Sequence, residues 1–96
     1  MSKHKNIKSL LRKLTTLTVY HAEKIISTEH QLEKEIVPML KNSSTKSEIY
    51  KQILAKAKEL NILATASVMQ SMHTKLATSI QIESLQRELV ALGEEL

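Results

Sequence analysis

The sequence predicts an all-α protein built from a few long helices. The 96-residue chain contains one glycine and one proline, and the whole stretch between Pro38 and Gly93 therefore lacks a helix breaker. That stretch is rich in Leu, Ile, Ala, Lys and Glu, which favour helices. Apolar residues also recur in steps of three and four, the spacing of one helix face.

Helix one is predicted over residues 5–40. Its apolar stripe comprises Ile7, Leu11, Leu14, Thr18, Ala22, Ile25, Leu32, Ile36 and Leu40. Glu29 interrupts this stripe at a position where an apolar residue is expected. Pro38 falls in the last turn, where a missing backbone donor does least harm.

Residues 41–45 form the predicted loop, and helix two follows over residues 46–93. Its stripe comprises Ile49, Ile53, Ala57, Leu60, Ala64, Val68, Met72, Leu76 and Ile80. Beyond it the register changes to a short coiled-coil seam, formed by Ile82, Leu85, Leu89 and Leu92. The chain would then be a long antiparallel helical hairpin. A break near Thr78 would instead give a three-helix bundle with a short third helix near 79–93; we favour the hairpin because no breaker supports that division.

The composition favours association with another helical surface. The chain is 42% hydrophobic but only 2% aromatic, so a single helical domain over residues 1–96 would have a thin aliphatic core. We expect it to complete a four-helix bundle by binding a partner protein or a second copy. The predicted interface is the seam of Ile82, Leu85, Leu89 and Leu92. The predicted function is a non-enzymatic protein–protein interaction module, such as an adaptor, a chaperone or an assembly subunit.

Charge is distributed unevenly along the chain, whose net charge is +4. No acidic residue precedes Glu23, and the basic residues of this N-terminal arm are Lys3, Lys5, Lys8, Arg12 and Lys13. In a hairpin this arm would lie beside the acidic residues of the C-terminal end and pair with them. The alternative function is a nucleic-acid-associated regulator that uses the arm to contact phosphates.

Two groups of side chains have the types that metals prefer. Met69, Met72 and His73 share a helix face and could suit Cu(I), although methionine is an ordinary core residue. His30 and Glu33 lie one turn apart beside Glu29, but helix two offers no matching carboxylate–histidine motif. We therefore predict no metal and no cofactor. With no cysteine, one glycine and little loop surface, we also predict no enzymatic activity.

The sequence gives only general information about location. No apolar run approaches the length of about 20 residues that spans a bilayer, so no membrane span is expected. The chain has no cysteine, which fits a reducing compartment. The predicted location is the cytoplasm or another intracellular compartment.

Overall fold

The computed structural model of the chain describes residues 3–41 and 46–96. All regular secondary structure within these ranges is helical: α1 (Lys3–Leu14), a 3-10 turn (Val19–His21), α2 (Ala22–Lys41), α3 (Ser47–Met69) and α4 (Met72–Glu94). The all-α class is confirmed. The predicted loop falls mainly on residues 42–45, which lie outside the described ranges.

The helix predicted over residues 5–40 is divided by a threonine-rich break. The hydroxyls of Thr15 and Thr16 donate to backbone carbonyls three residues earlier, at 2.6 and 2.8 Å. Such bonds, made by β-branched side chains, compete with continuation of the helix. Thr18 is extended (φ −100°, ψ 172°), and its carbonyl accepts the His21 N–H at 2.9 Å to begin the 3-10 turn. Thr18 therefore starts a new element, whereas we expected it to continue the stripe.

The helix predicted over residues 46–93 is also divided, at Gln70 and Ser71. Both residues are extended, with ψ angles of 154° and 165°, and Ser71 precedes α4 as a residue type that favours helix starts. The alternative break near Thr78 is wrong, because α4 runs through that position. Thr78 is buried and its hydroxyl donates to Gln70 Oε1 at 2.6 Å. The short third helix near 79–93 is thus the second half of a longer one.

The four helices form a closed antiparallel arrangement. α2 packs on α3, α3 packs on α4, and α1 packs on both α4 and α2. Two of these contacts also contain an ion pair between helices. Glu33 and Lys58, at 4.0 Å, join α2 to α3, and Glu88 and Lys56, at 3.4 Å, join α4 to α3. The described part of the chain measures 43 × 21 × 19 Å. One molecule therefore builds the four-helix bundle that we expected from association.

The core is almost entirely aliphatic, and every helix contributes to it. Glu29, Ser67, Thr78 and Gln86 are the polar residues buried with it. The buried apolar residues are Ile7, Leu10, Leu11, Leu14, Ala22, Ile25, Leu32, Ile36, Tyr50, Ile53, Ala57, Leu60, Ala64, Ile82, Leu85 and Leu89. Most of the two predicted stripes is therefore buried, but the part of helix two between Val68 and Ile80 is not.

α1 and α4 approach each other closely near the C-terminal end of α4. Gly93 is buried there, and a Cβ atom on it would lie 2.6 Å from Leu11 Cδ1. Just outside this contact, Arg12 Nη2 donates to Glu94 Oε1 at 2.8 Å. Glycine allows the two backbones to come together at this point.

Leu89 and Leu76 provide a matched test of the fold, because both are leucines on α4. Leu89 is fully buried and Leu76 is 69% exposed. We expect Leu89→Ala to lower the free energy of unfolding by about 2–5 kcal/mol through the cavity it leaves. We expect Leu76→Ala to change that free energy by no more than about 0.5 kcal/mol. Urea denaturation followed by circular dichroism measures both, and equal effects would contradict this packing.

Candidate interaction surfaces

The seam predicted as a partner interface lies inside the molecule. Ile82, Leu85 and Leu89 are buried, and Leu92 is half-buried against the same core. The prediction assumed two long helices, which would leave this seam uncovered. Four shorter helices cover most of it instead, although Leu92 stays half-exposed and Ile82 lines a groove beside α4.

An exposed apolar region lies instead along the first half of α4. α1 contains 12 residues and α4 contains 23, so at about 1.5 Å per residue they are roughly 18 and 35 Å long. The chain after α1 reaches only the middle of α4, where Gln86 Nε2 donates to the Leu17 carbonyl at 3.1 Å. α1 therefore cannot cover residues 72–80 of α4, and the segment of residues 15–20 borders them.

A groove lies between residues 15–20 and α4, and we call it the α4 groove. Its volume is about 480 Å³, within the range of protein ligand sites. Its apolar wall includes Met72 and Leu76, which are 83% and 69% exposed, and Tyr20 lines it from the opposite side. Lys75 and Glu83 bring opposite charges to the same groove. The α4 groove can therefore take an elongated apolar group with polar edges.

The exposed apolar region continues onto the end of α3. Val68 and Met69 are 63% and 86% exposed, and Ile62 is 69% exposed. Ile62, Ala66 and Met69 line a shallow depression of about 520 Å³. Large exposed side chains therefore occur on both sides of the turn that joins α3 to α4.

The extended residues at Gln70 and Ser71 change which face of the following helix points inward. Val68, in α3 before the break, is already exposed, so the break bears only on the stripe residues of α4, Met72 and Leu76. After the break, α4 turns a different face inward, which includes Thr78. The sequence identifies Met72 and Leu76 as apolar. Their exposure, however, depends on the helix break at Gln70 and Ser71, which the helical pattern does not predict.

The basic arm lies on α1, which begins at Lys3. The side chain of Lys3 is outside the described structure, whereas Lys5, Lys8, Arg12 and Lys13 line one shallow groove. The expected pairing with the acidic end occurs at Arg12, which bonds Glu94 through Nη2 at 2.8 Å and through Nε at 3.2 Å. The Arg12 guanidinium holds the pKa of Glu94 below its ordinary value.

Of the two groups of candidate metal ligands, the one formed by Glu29, His30 and Glu33 is brought together in the structure. The atoms of Glu29, His30 and Glu33 that could bind a metal lie within 4.8 Å of one another. Glu29 is 4% exposed, and its Oε2 atom accepts the Asn61 amide at 3.2 Å and lies 3.5 Å from His30 Nδ1. Since Lys58 faces Glu33, both carboxylates already have protein partners.

The second candidate metal group is not assembled on one helix. Met69 ends α3, whereas Met72 begins α4 and His73 follows it. All three side chains are exposed. The single helix face on which this hypothesis depended is therefore absent.

Comparison of the chain with protein-family models, with curated proteins and with solved structures finds no match. Within residues 3–41 and 46–96, no helix is long and apolar enough to cross a membrane.

His4 and Tyr50 tie the start of α1 to α3. The Tyr50 hydroxyl lies 2.7 Å from His4 Nδ1, and the two rings stack with centroids 5.7 Å apart. Burial, then Lys46 and then Lys8, lower the pKa of His4 from 6.5, while burial raises the pKa of Tyr50. The neutral imidazole is thus the form that suits the folded chain.

This pair predicts how stability depends on pH. Because the pKa of His4 is lower in the folded chain, unfolding takes up a proton between that lowered pKa and 6.5. The contribution to stability is full above pH 6.5 and is lost as the pH falls from 6.5 through the lowered pKa of the folded chain. We expect the wild type to lose more thermal stability between pH 7.5 and 5.5 than His4→Asn does. His73→Asn, at an exposed position, is the control, and an unchanged pH dependence in His4→Asn would contradict this prediction.

Proposed function

We propose that this chain is a non-enzymatic interaction module that binds an amphipathic helix of a partner protein along the α4 groove. The observation that carries the proposal is the large exposed apolar surface of residues 72–80, beside which α1 ends too early to pack. A helix of two or three turns would cover residues 72–80, which span about 12 Å. Such helix-in-groove binding depends on apolar residues spaced along one helix face.

The charges beside the groove favour a partner helix with polar edges over a purely apolar ligand. Lys75 and Glu83 line the groove two turns apart on α4. A helix lying between them could place an acidic residue near one and a basic residue near the other, which would fix its direction. Adaptors, chaperones and assembly subunits all use binding of this kind.

The expected strength of binding follows from the exposed side chains. Burying Tyr20, Met72 and Leu76, which line the groove, would contribute about 4–9 kcal/mol, at about 1.5–3 kcal/mol for each side chain. Loss of translational and rotational freedom costs on the order of 4–15 kcal/mol. The balance favours a reversible complex of micromolar or weaker affinity.

We also propose an intracellular location, because the chain has no cysteine.

Two charged substitutions in the groove test this proposal. Met72→Glu combined with Leu76→Glu changes two exposed residues, so the variant should fold with nearly unchanged thermal stability. The probe is a fluorescent 18-residue peptide with a leucine stripe and balanced charge, and a scrambled peptide has the same composition. We expect the wild type to bind the striped peptide at least tenfold more tightly than the variant binds it, as measured by fluorescence anisotropy.

Ala55→Glu combined with Ala91→Glu is the matched control, because these alanines are exposed on α3 and α4 outside the groove. This variant should bind the peptide as the wild type does. Equal binding by all three proteins, or no preference for the striped peptide, would contradict the proposal. Sedimentation velocity tests the other occupant: a wild-type dimer that Met72→Glu with Leu76→Glu converts to a monomer would assign the groove to a second copy.

A further inference from the structure

A second surface, which also borders residues 16 and 17, carries charge of one sign. Two shallow grooves of about 480 and 320 Å³ meet at Lys13 and Thr16, one along α1 and the other between α1 and α2. Of the residues that the structure describes, no aspartate or glutamate lines either groove. The cations that line them are Lys5, Lys8, Arg12, Lys13 and Lys24. We call this surface the basic track.

Most of the positive charge on the basic track has no close counter-charge. Among the described residues, only Arg12 of the track forms an ion pair, with Glu94. Lys8 lies close enough to lower the pKa of Glu94 but forms no ion pair within 4.0 Å. In contrast, the α3 lysines Lys51, Lys56 and Lys58 each face a glutamate at 3.4–4.0 Å. The positive charge that is concentrated near the N-terminal end of the sequence is therefore also concentrated on one surface of the folded chain.

The chemistry of the track suits phosphate better than a membrane or an apolar protein surface. The apolar side of α1 points into the core, where Ile7, Leu11 and Leu14 are fully or almost fully buried. Membrane-binding helices need exposed apolar residues to insert, and the exposed large apolar residues of the described chain lie elsewhere. The track offers lysines together with the hydroxyl of Ser9 and the amide of Gln31. Cations and small polar donors of this kind contact phosphate oxygens.

We propose that the basic track binds the phosphodiester backbone of nucleic acid without reading its sequence. Base recognition by stacking requires exposed aromatic side chains. The chain has two aromatic residues of the Phe, Trp and Tyr type; Tyr50 is buried, and Tyr20 lines the α4 groove. Neither lines the track. The cations of the track are not among the residues that line the α4 groove, although Thr16 and Leu17 border both surfaces.

Salt dependence provides the first measurement. Fluorescence anisotropy of the full chain with labelled mixed-sequence DNA and RNA, single- and double-stranded, is recorded at 50 and 200 mM salt. If three or four phosphates are neutralised, each contributes about 0.7–0.9 to the slope of log K against log salt, so affinity should fall about 20- to 150-fold. Affinities for different sequences of one length should agree within about threefold. No binding at 50 mM salt, or no loss at 200 mM, would overturn the proposal.

Two triple variants with the same net charge separate the track from general positive charge. Lys5→Gln, Lys13→Gln and Lys24→Gln remove charge from the track, whereas Lys51→Gln, Lys56→Gln and Lys58→Gln remove it from α3. We expect the first set to weaken binding at least tenfold at 50 mM salt and to reduce the salt slope by about two. The second set should weaken binding no more than about threefold. Circular dichroism confirms that both variants are folded.

Three results would count against the proposal. Equal losses in the two variants would mean that binding follows net charge and has no defined site. A strong preference for one sequence would contradict backbone binding. Vesicles containing phosphatidylserine provide the third comparison: binding to them without binding to DNA or RNA would assign the track to anionic lipid.

Discussion

The short length of α1 is the constraint on which both proposed surfaces depend. Four helices bury a common core most fully when they have similar lengths, and here one of them has 12 residues while α3 and α4 each have 23. α1 ends because consecutive threonines bond the preceding turn, which favours a local turn over further helix. α1 consequently does not extend beside the exposed apolar residues in the first half of α4. The same ending allows residues 15–17 to separate the α4 groove from the basic track.

Buried polar contacts fix how the helices face one another. Glu29 accepts from Asn61, and Asn61 in turn accepts the Thr65 hydroxyl at 3.2 Å, so α2 and α3 are held in one register at that level. Gln86 does the same between α4 and the chain after α1. A buried polar group without a partner costs free energy, and a sliding of either helix pair would remove these partners. Glu29 therefore interrupts the apolar stripe because it accepts a hydrogen bond from Asn61 on the facing helix, a pairing that the sequence alone does not identify.

The sequence was sufficient for the fold class and for most of the core, but not for the helix ends. Ile7, Leu11 and Ile25 lie at positions that helical spacing identifies, and all three are buried. The breaks at residues 15–18 and 70–71 contain threonine, serine and glutamine, which helices also tolerate. A cluster of hydroxyl side chains is the available signal for these breaks, whereas the absence of glycine and proline favours unbroken helices. A helix break changes which face of the following helix points inward. The two breaks therefore determine which residues can form an interaction surface: Leu85 and Leu89 are buried, whereas Met72 and Leu76 are exposed.

Thr16 lines the α4 groove and also both grooves of the basic track. A protein seated on one side of this residue and a nucleic acid on the other would meet across a single short segment of chain. Each ligand would then change the binding free energy of the other by the same amount, because coupling between two binding sites is reciprocal. Bulky ligands would compete there, whereas ligands of opposite charge would form a ternary assembly that neither surface could hold together alone.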